Sequence, residues 1–339
     1  MNGNGNRLET ALQFDVEAEI ERICHFIRRE VERRGVRGVV IGLSGGLDSS
    51  TCAYLCKRCL PAGQIHLYNL PERDSSASTQ DLATKVAQAL NLPLEEVDVS
   101  GLIGQLNIYD QVPHELTENR PLLERAIRIL GRLAGRPTLY LWAQEYAFGA
   151  RRGFFAWVMR HWLWIYAGTT KKFIFGKIRA RMLILSAKAM AMDCLLICTT
   201  DRSEWSVGFY DPHGDGVGDI APLRHLYKTQ IQALARAAGV LDDILQQPSS
   251  ADLAAGLPNE TAIGLKYAEL DQVLAGFSLQ MPDEEIAAEA GLKRSLVMNI
   301  RMACRLANER REMPVSIPAP AQNQGCIRSR TSNRPIGGK

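Results

Sequence analysis

Residues 42–50 read GLSGGLDSS and follow the apolar run Val39, Val40 and Ile41. Adjacent glycines let a backbone turn tightly and bring its N–H groups close to a ligand, and a helix starting there adds a positive dipole end. Such a turn suits an anion, phosphate above all. Asp48 adds a carboxylate, a hard oxygen ligand able to hold magnesium beside phosphate. The stretch has neither the Gly-Lys-Ser/Thr of a Walker A loop nor the GxGxxG spacing. Alone, it fits a plain strand-to-helix turn about as well as a phosphate cradle.

A second polar stretch, TTDRSEWSVGFYDPHGDGVGDIAPLRHLYKTQ, spans 199–230. It includes Thr199, Glu204, Asp219 and Lys228. Taken one at a time, each has an ordinary reading. Glu204 and Asp219 fit solvated loop carboxylates, Lys228 a surface lysine opening a helix, and Thr199 the end of a strand.

The elements that must position these groups follow from periodicity. Val16, Ile20, Ile23, Ile27 and Val31 recur at helical spacing, predicting a helix over 16–34 that ends before Gly35. Strand and helix patterns then alternate: strand 38–43, helix 49–59, strand 64–70, helix 78–90 opened by Ser78, and strand 95–99. A later set comprises a helix over 178–192, a strand from Cys194 to Thr199, and a helix over 228–238. This alternation predicts an α/β fold, a doubly wound parallel sheet with helices on both faces, binding its ligand at the carboxyl ends of the strands. GLSGGLDSS lies at such an end.

Composition narrows the class. A chain of 339 residues with 46% hydrophobic content can bury a full core. Forty basic against 37 acidic residues leave a net charge of +3, too balanced to demand a polyanionic partner. Eight cysteines (24, 52, 56, 59, 194, 198, 304, 326) lie mostly inside helix or strand patterns, and the opening residues carry no secretory pattern, so a reduced cytoplasmic setting is expected. Cys56 and Cys59 form a lone CxxC, and without a second pair at zinc spacing it reads as two thiols on one helix.

The motifs, taken in order, carry a resemblance. SGGLDS after a strand resembles the SGGxDS loop of the PP-loop ATP pyrophosphatases, and several further segments resemble the NAD synthetase family within that group. These are the 199–230 stretch, GKIRARM at 176–182, PSSADL at 248–253, NETAIGLKYAELDQVL at 259–274 and NERREMP at 308–314. The resemblance covers roughly 16–100 and 175–316. It implies an ammonia-dependent ligase that adenylates the nicotinate carboxylate of deamido-NAD with ATP and converts it to the amide of NAD, releasing AMP and pyrophosphate. It also implies roles. Gly42, Leu43, Ser44, Gly45, Gly46, Leu47, Asp48 and Ser49 would line the ATP site together with Thr199, Lys228 and Ser250. Asp48 and Glu204 would hold magnesium, Asp48, Glu204 and Lys228 would act in catalysis, and Arg181, Asp219 and Arg310 would hold deamido-NAD.

Departures from the family pattern gather on the substrate side. Lys177 stands where the family has Asn, Leu183 replaces an Arg, Pro212 a Lys and His213 a Tyr, and Glu309 and Arg310 replace a His-Lys pair. Proline cannot make the charge-assisted contact of a lysine. Lys177 could restore that charge from another direction. A relative that activates a different carboxylic acid is therefore a second expectation.

The resemblance implies a synthetase unit over 1–100 and 173–316 interrupted by an insertion over 101–172, and residues 317–339, rich in Pro, Gly, Ser and Arg without apolar period, read as a disordered tail. Four of the five tryptophans (142, 157, 162, 164) fall in the insertion, with many basic residues. Its run FFAWVMRHWLWIYAG, 154–168, is too short to span a bilayer and is broken by Arg160 and His161. A helical pair packing on its own chain or a partner subunit is expected there. Contact with a membrane surface or stacking on a nucleobase are the alternatives.

A rival class comes from 283–311, which reads like a helix-turn-helix with Gly291 at the turn and Lys293, Arg294, Arg301 and Arg305 after it. The same stretch fits the NAD synthetase tail, so nucleic-acid binding is not expected. Only about forty residues precede the loop, too few for a glutamine amidohydrolase domain. Free ammonia, or ammonia from a separate glutaminase, is the implied donor, and the family implies a homodimer.

Overall fold

A computed structural model describes residues 6–111, 154–248 and 259–311. In chain order the first elements are α1 (Arg7–Leu12), α2 (Val16–Arg34), β1 (Gly38–Gly42), α3 (Leu47–Cys59), β2 (Ile65–Asn69), α4 (Ala77–Ala89), β3 (Leu94–Glu96) and α5 (Ser100–Gln105). Then follow α6 (Phe154–Met192), β4 (Cys194–Leu196), α7 (Arg202–Val207), α8 (Lys228–Ala237), α9 (Asp242–Leu245) and α10 (Asn259–Ile263). The chain closes with α11 (Tyr267–Ser278), α12 (Asp283–Glu289) and α13 (Arg294–Arg311).

The sheet has the order β3-β2-β1-β4 and every pairing is parallel. Successive side chains of β1 leave on opposite faces, and both faces are covered. Val39 and Ile41 enter a core with Ile20, Ile23 and Ile27 of α2, Leu55 of α3 and Leu234 of α8. Val40 enters a second core with Ile103 of α5 and Phe173, Ala180 and Leu185 of α6. The expected double covering is thus present. A third core joins Leu8 of α1 to Leu270 and Leu274 of α11 and Ile300 of α13. Burying each such aliphatic side chain contributes on the order of 1.5–3 kcal/mol.

Several boundaries differ from the sequence reading for local reasons. The α4 helix opens at Ser76, whose Oγ accepts from Ser78 N at 3.2 Å, so Ser78 is capped rather than capping. The helix expected over 178–192 starts at Phe154 and runs unbroken for 39 residues, continuous with part of the predicted insertion. The strand expected to reach Thr199 ends at Leu196, beyond which Ile197 makes only an isolated bridge to Ile220. Elsewhere β3 covers 94–96 rather than 95–99, although Val97 N and Val99 N still donate to Asn69 O and Pro71 O. No helix among the described residues is long and apolar enough to cross a membrane.

The 283–311 pair packs as part of the third core. Gly291, at φ +65, makes the turn. Three of the four basic groups that suggested DNA contact face acids: Arg294 pairs with Glu284, Arg301 with Asp283 and Arg305 with Glu309.

Candidate functional site

The loop after β1 is held in place before any ligand enters. Leu43 N donates to Tyr68 O at 2.8 Å, and Asn69 Nδ2 donates to Leu43 O at 3.0 Å, tying the loop to β2. Ser49 Oγ donates to Gly46 O at 3.2 Å, and Gly46 N donates to Ser44 Oγ at 3.3 Å. Gly45 sits at φ +78, and a Cβ there would lie 2.4 Å from Thr79 O of α4. Only glycine fits that turn. The α3 helix starts at Leu47 with no side chain capping it, which leaves first-turn N–H groups for a ligand.

This loop borders a cleft of about 270 Å³ whose walls include Ser44, Gly46, Asp48, Ser49, Arg181, Thr199, Glu204 and Asp215. Gly42, Leu43 and Leu47 also line it, while Gly45 instead packs against Thr79 and Ala83. Arg181 is anchored on one wall by Nε donating to Leu70 O at 3.0 Å and by a second bond to Ser75 Oγ at 3.2 Å.

Asp48 and Glu204 of this cleft belong to a charge cluster. Lys228, the first residue of α8, is fully buried, and its Nζ lies 2.7 Å from Asp48 Oδ2, 2.6 Å from Asp201 Oδ2 and 3.1 Å from Glu204 Oε1. Tyr267 donates its hydroxyl to Glu204 Oε1 at 2.9 Å, and Asn259 Nδ2 donates to the same oxygen at 3.2 Å. Asp201 caps α7, accepting from Glu204 N at 2.8 Å, so one short helix delivers both of its acids to the lysine.

Three carboxylates meet one ammonium, an excess of two formal negative charges. Burial and the neighbouring Asp201 raise Glu204 to about 8, the Lys228 charge opposing. Burial likewise raises Asp201 to about 6 against the pull of Lys228, and Asp215 to about 7. For Lys228, burial pulls downward, but Asp201, Asp48 and Glu204 outweigh it and hold the ammonium well above the ordinary lysine value.

The donor set suits a hard divalent cation. Asp48, Asp201 and Glu204 each place an oxygen within 4.8 Å of the others. Asp48 Oδ1 is buried without a hydrogen-bond partner, a polar atom that a cation would satisfy.

The structure thus brings Asp48, Glu204 and Lys228 together, with Thr199 and Arg181 on the same cleft. Asp219 takes another position: its Oδ2 accepts from Leu196 N at 2.9 Å and its Oδ1 faces Arg34 at 3.4 Å. Ser250 and the Arg310 side chain lie outside the described residues. Lys177 corrects an expectation. Its Nζ is fully buried, 2.8 Å from Glu72 Oε1 and 2.6 Å from Asp74 Oδ2, so its charge is neutralised internally and does not replace the cation lost at Pro212. Sequence reasoning gave no site role to Asp201, Asn259 or Tyr267, although Asp201 lies in the quoted 199–230 stretch. The signal for the last two was the NETAIGLKYAELDQVL motif, quoted without a role for either residue.

A parallel sheet covered on both faces, with a glycine turn and a carboxylate-lysine cluster beside the carboxyl end of its central strand, defines an α/β protein of the PP-loop adenine-nucleotide type. The family profile described as NAD synthase matches residues 19–123 and 170–314. An NH3-dependent NAD+ synthetase of Coprothermobacter proteolyticus is 30% identical over 262 residues, covering 76% of this chain and 84% of that protein. Another, from Thermococcus kodakarensis, is 27% identical over 304 residues, covering 89% and 97%. Among solved structures, an NH3-dependent NAD synthetase from Campylobacter jejuni superposes with a TM-score of 0.61 at 20% identity, covering 90% of this chain and all of that one. An NMN synthetase from Francisella tularensis gives 0.62 at 19%, covering 91% and 100%. The chain belongs to the NAD synthase family.

Proposed function

We propose that this protein amidates the nicotinate carboxylate of deamido-NAD with ammonia, using ATP and yielding NAD, AMP and pyrophosphate. The observation that carries the reading is the Asp48–Lys228–Glu204 cluster set against the GLSGGLDSS turn. Family membership and the names of the relatives point the same way.

A carboxylate does not react directly with ammonia at neutral pH, because oxide would have to leave. In the proposed reaction a carboxylate oxygen attacks the α-phosphorus of ATP, and the bond to the β-phosphate oxygen breaks, releasing pyrophosphate. Ammonia then attacks the acyl carbon, AMP departs with the bonding electron pair, and the added nitrogen releases its extra proton to solvent water. The chain's task is positioning and charge stabilisation, so no general base is required.

The Gly46–Ser49 turn and the first N–H groups of α3 would receive the phosphates, with Thr199 and Ser250 as further polar contacts. Lys228, buried beside that end of the cleft, holds Asp48, Asp201 and Glu204 together. Asp48, Glu204 and Asp201 would hold magnesium, which when bound would supply positive charge against pyrophosphate. Arg181, anchored to Leu70 O and Ser75, offers a cation to an anionic substrate. Asp219 and Arg310 would complete the deamido-NAD site by family analogy. The reading carries with it a cytoplasmic homodimer, ammonia supplied free or by a separate glutaminase, and a synthetase unit over 1–100 and 173–316 interrupted by the 101–172 insertion.

One observation favours a second reading. The Lys177 charge is taken up by Glu72 and Asp74, and Pro212 supplies none, so cationic contacts toward the substrate are fewer than the family pattern provides. A different carboxylic acid would then be activated by the same ATP machinery. The deciding experiment incubates purified protein with ATP, magnesium, ammonium and a panel of acids and follows pyrophosphate. Release with deamido-NAD together with NAD formation supports the first reading. Release only with another acid replaces it with the second.

A further inference from the structure

A carboxylate outside the charge cluster is hydrogen-bonded at the start of the helix that carries Lys228. Asp271 lies on α11, one turn after Tyr267, and is fully buried. Its Oδ2 accepts from Thr229 N at 2.8 Å and from Thr229 Oγ1 at 2.7 Å. Its Oδ1 accepts from Ser203 Oγ. That same Ser203 Oγ accepts from Lys228 N at 3.0 Å.

The first N–H groups of a helix have no partner within it, and a side chain of the preceding residue ordinarily satisfies them. In α8 the N–H groups of Lys228 and Thr229 are satisfied from outside, by Ser203 and Asp271. Ser203 stands between Asp201 and Glu204 on α7. A single buried carboxylate therefore bridges the helix start that carries the lysine and the helix whose cap and first turn supply two of its three acids. Each ammonium-carboxylate distance is 2.6–3.1 Å, so a small shift of the α8 backbone changes all three contacts together.

We infer that Asp271 is a positioning residue: through Ser203 and Thr229 it sets the Lys228 ammonium among Asp48, Asp201 and Glu204, and so the shape of the metal and phosphate end of the cleft. This rests on the assignment of that cluster as the metal and phosphate site.

The test uses ATP binding measured by calorimetry on the full chain, with magnesium and with EDTA, for wild type, Asp271→Asn and Ser203→Ala. Asparagine keeps the shape of Asp271 but turns an acceptor into an amide donor facing other donors. The expected result is a loss of about tenfold in affinity for magnesium-ATP in Asp271→Asn, with metal-free ATP affinity changed by less than about twofold. A purely structural role predicts no such split, and equal magnesium-ATP affinity in folded Asp271→Asn and wild type overturns the inference. Where Asp271→Asn does not fold, Ser203→Ala decides by the same split, since it removes one hydroxyl. A wild-type affinity that ignores magnesium overturns the site assignment and the inference with it. Failure of deamido-NAD to react, with the magnesium-dependent split intact, leaves the positioning role standing and rejects only the substrate.

Discussion

Lys228 and Asp48 stand 180 positions apart in the chain, and their side chains meet at 2.7 Å. Asp48 arrives on the helix after β1 and Lys228 on the first residue of α8, both packed on the same core. The contact links the glycine turn to the acidic wall of the cleft.

Replacing Lys228 by methionine leaves buried carboxylates without their cation. Loss of one partner from a buried ion cluster costs about 3–5 kcal/mol, and the variant is expected to melt at lower temperature. With a charge-stabilising group gone, pyrophosphate release should fall by at least about 100-fold. Circular dichroism confirms folding, and a steady-state pyrophosphate assay reads the rate. A folded variant with more than a tenth of wild-type turnover contradicts the role given to Lys228.

Asp48→Asn should behave differently. It lowers the excess of carboxylates over ammonium, so stability in EDTA is expected to hold, with the melting midpoint falling by no more than about 2 °C. Activity should nevertheless drop by at least about 100-fold, and the magnesium-induced rise in melting temperature should vanish. A magnesium shift equal to that of wild type contradicts the metal assignment.

The raised carboxyl groups set a pH dependence. Glu204 titrates at about 8 in the folded chain against an ordinary 4.5, mainly through burial, and Asp215 at about 7 against 3.8. The folded state holds these protons more tightly, so their contribution is fully present below the ordinary values and lost as pH rises through 7 and 8. In EDTA, melting temperature should decline across that window. Magnesium competes with the Glu204 proton, so its stabilising effect should grow from pH 6 to pH 9. A magnesium effect that is flat with pH, measured by differential scanning calorimetry, speaks against Glu204 as a ligand.

Gly45→Ala tests the turn. The position has φ +78, and the new methyl would approach Thr79 O to 2.4 Å. Strain of this kind costs about 1–3 kcal/mol, and relief requires the loop to leave α4. Lower stability in urea together with weakened ATP binding is expected; unchanged ATP affinity means the loop geometry does not matter for the nucleotide.

Much of the architecture was legible from short-range pattern. The period of Ile20, Ile23 and Ile27 placed α2, and the apolar run at 39–41 placed the buried β1 strand. Local chemistry misled at element edges and over α6, which starts at Phe154 rather than near 178. A serine cap two residues early moved the start of α4, and an apolar run ending at Thr199 did not reveal that ladder pairing stops at Leu196. Gly45 and Asp48 could be singled out from the residue types of their turn, whereas Glu204 and Lys228 were singled out only by the family resemblance of the 199–230 stretch.

What the sequence by itself determined was the order of strands and helices, the glycine turn at a strand end, and membership in an ATP-using family. Tertiary structure alone decided which charges cancel. Asp201 joins the lysine because α7 is short and capped by it, Asp271 caps a helix from a different part of the chain, and Lys177 is neutralised by Glu72 and Asp74 about a hundred residues away. Periodicity is a property of neighbouring residues. The partner of a buried charge is set by long-range packing, because burial makes an unpaired charge too costly to keep and only the folded chain brings the partner within reach.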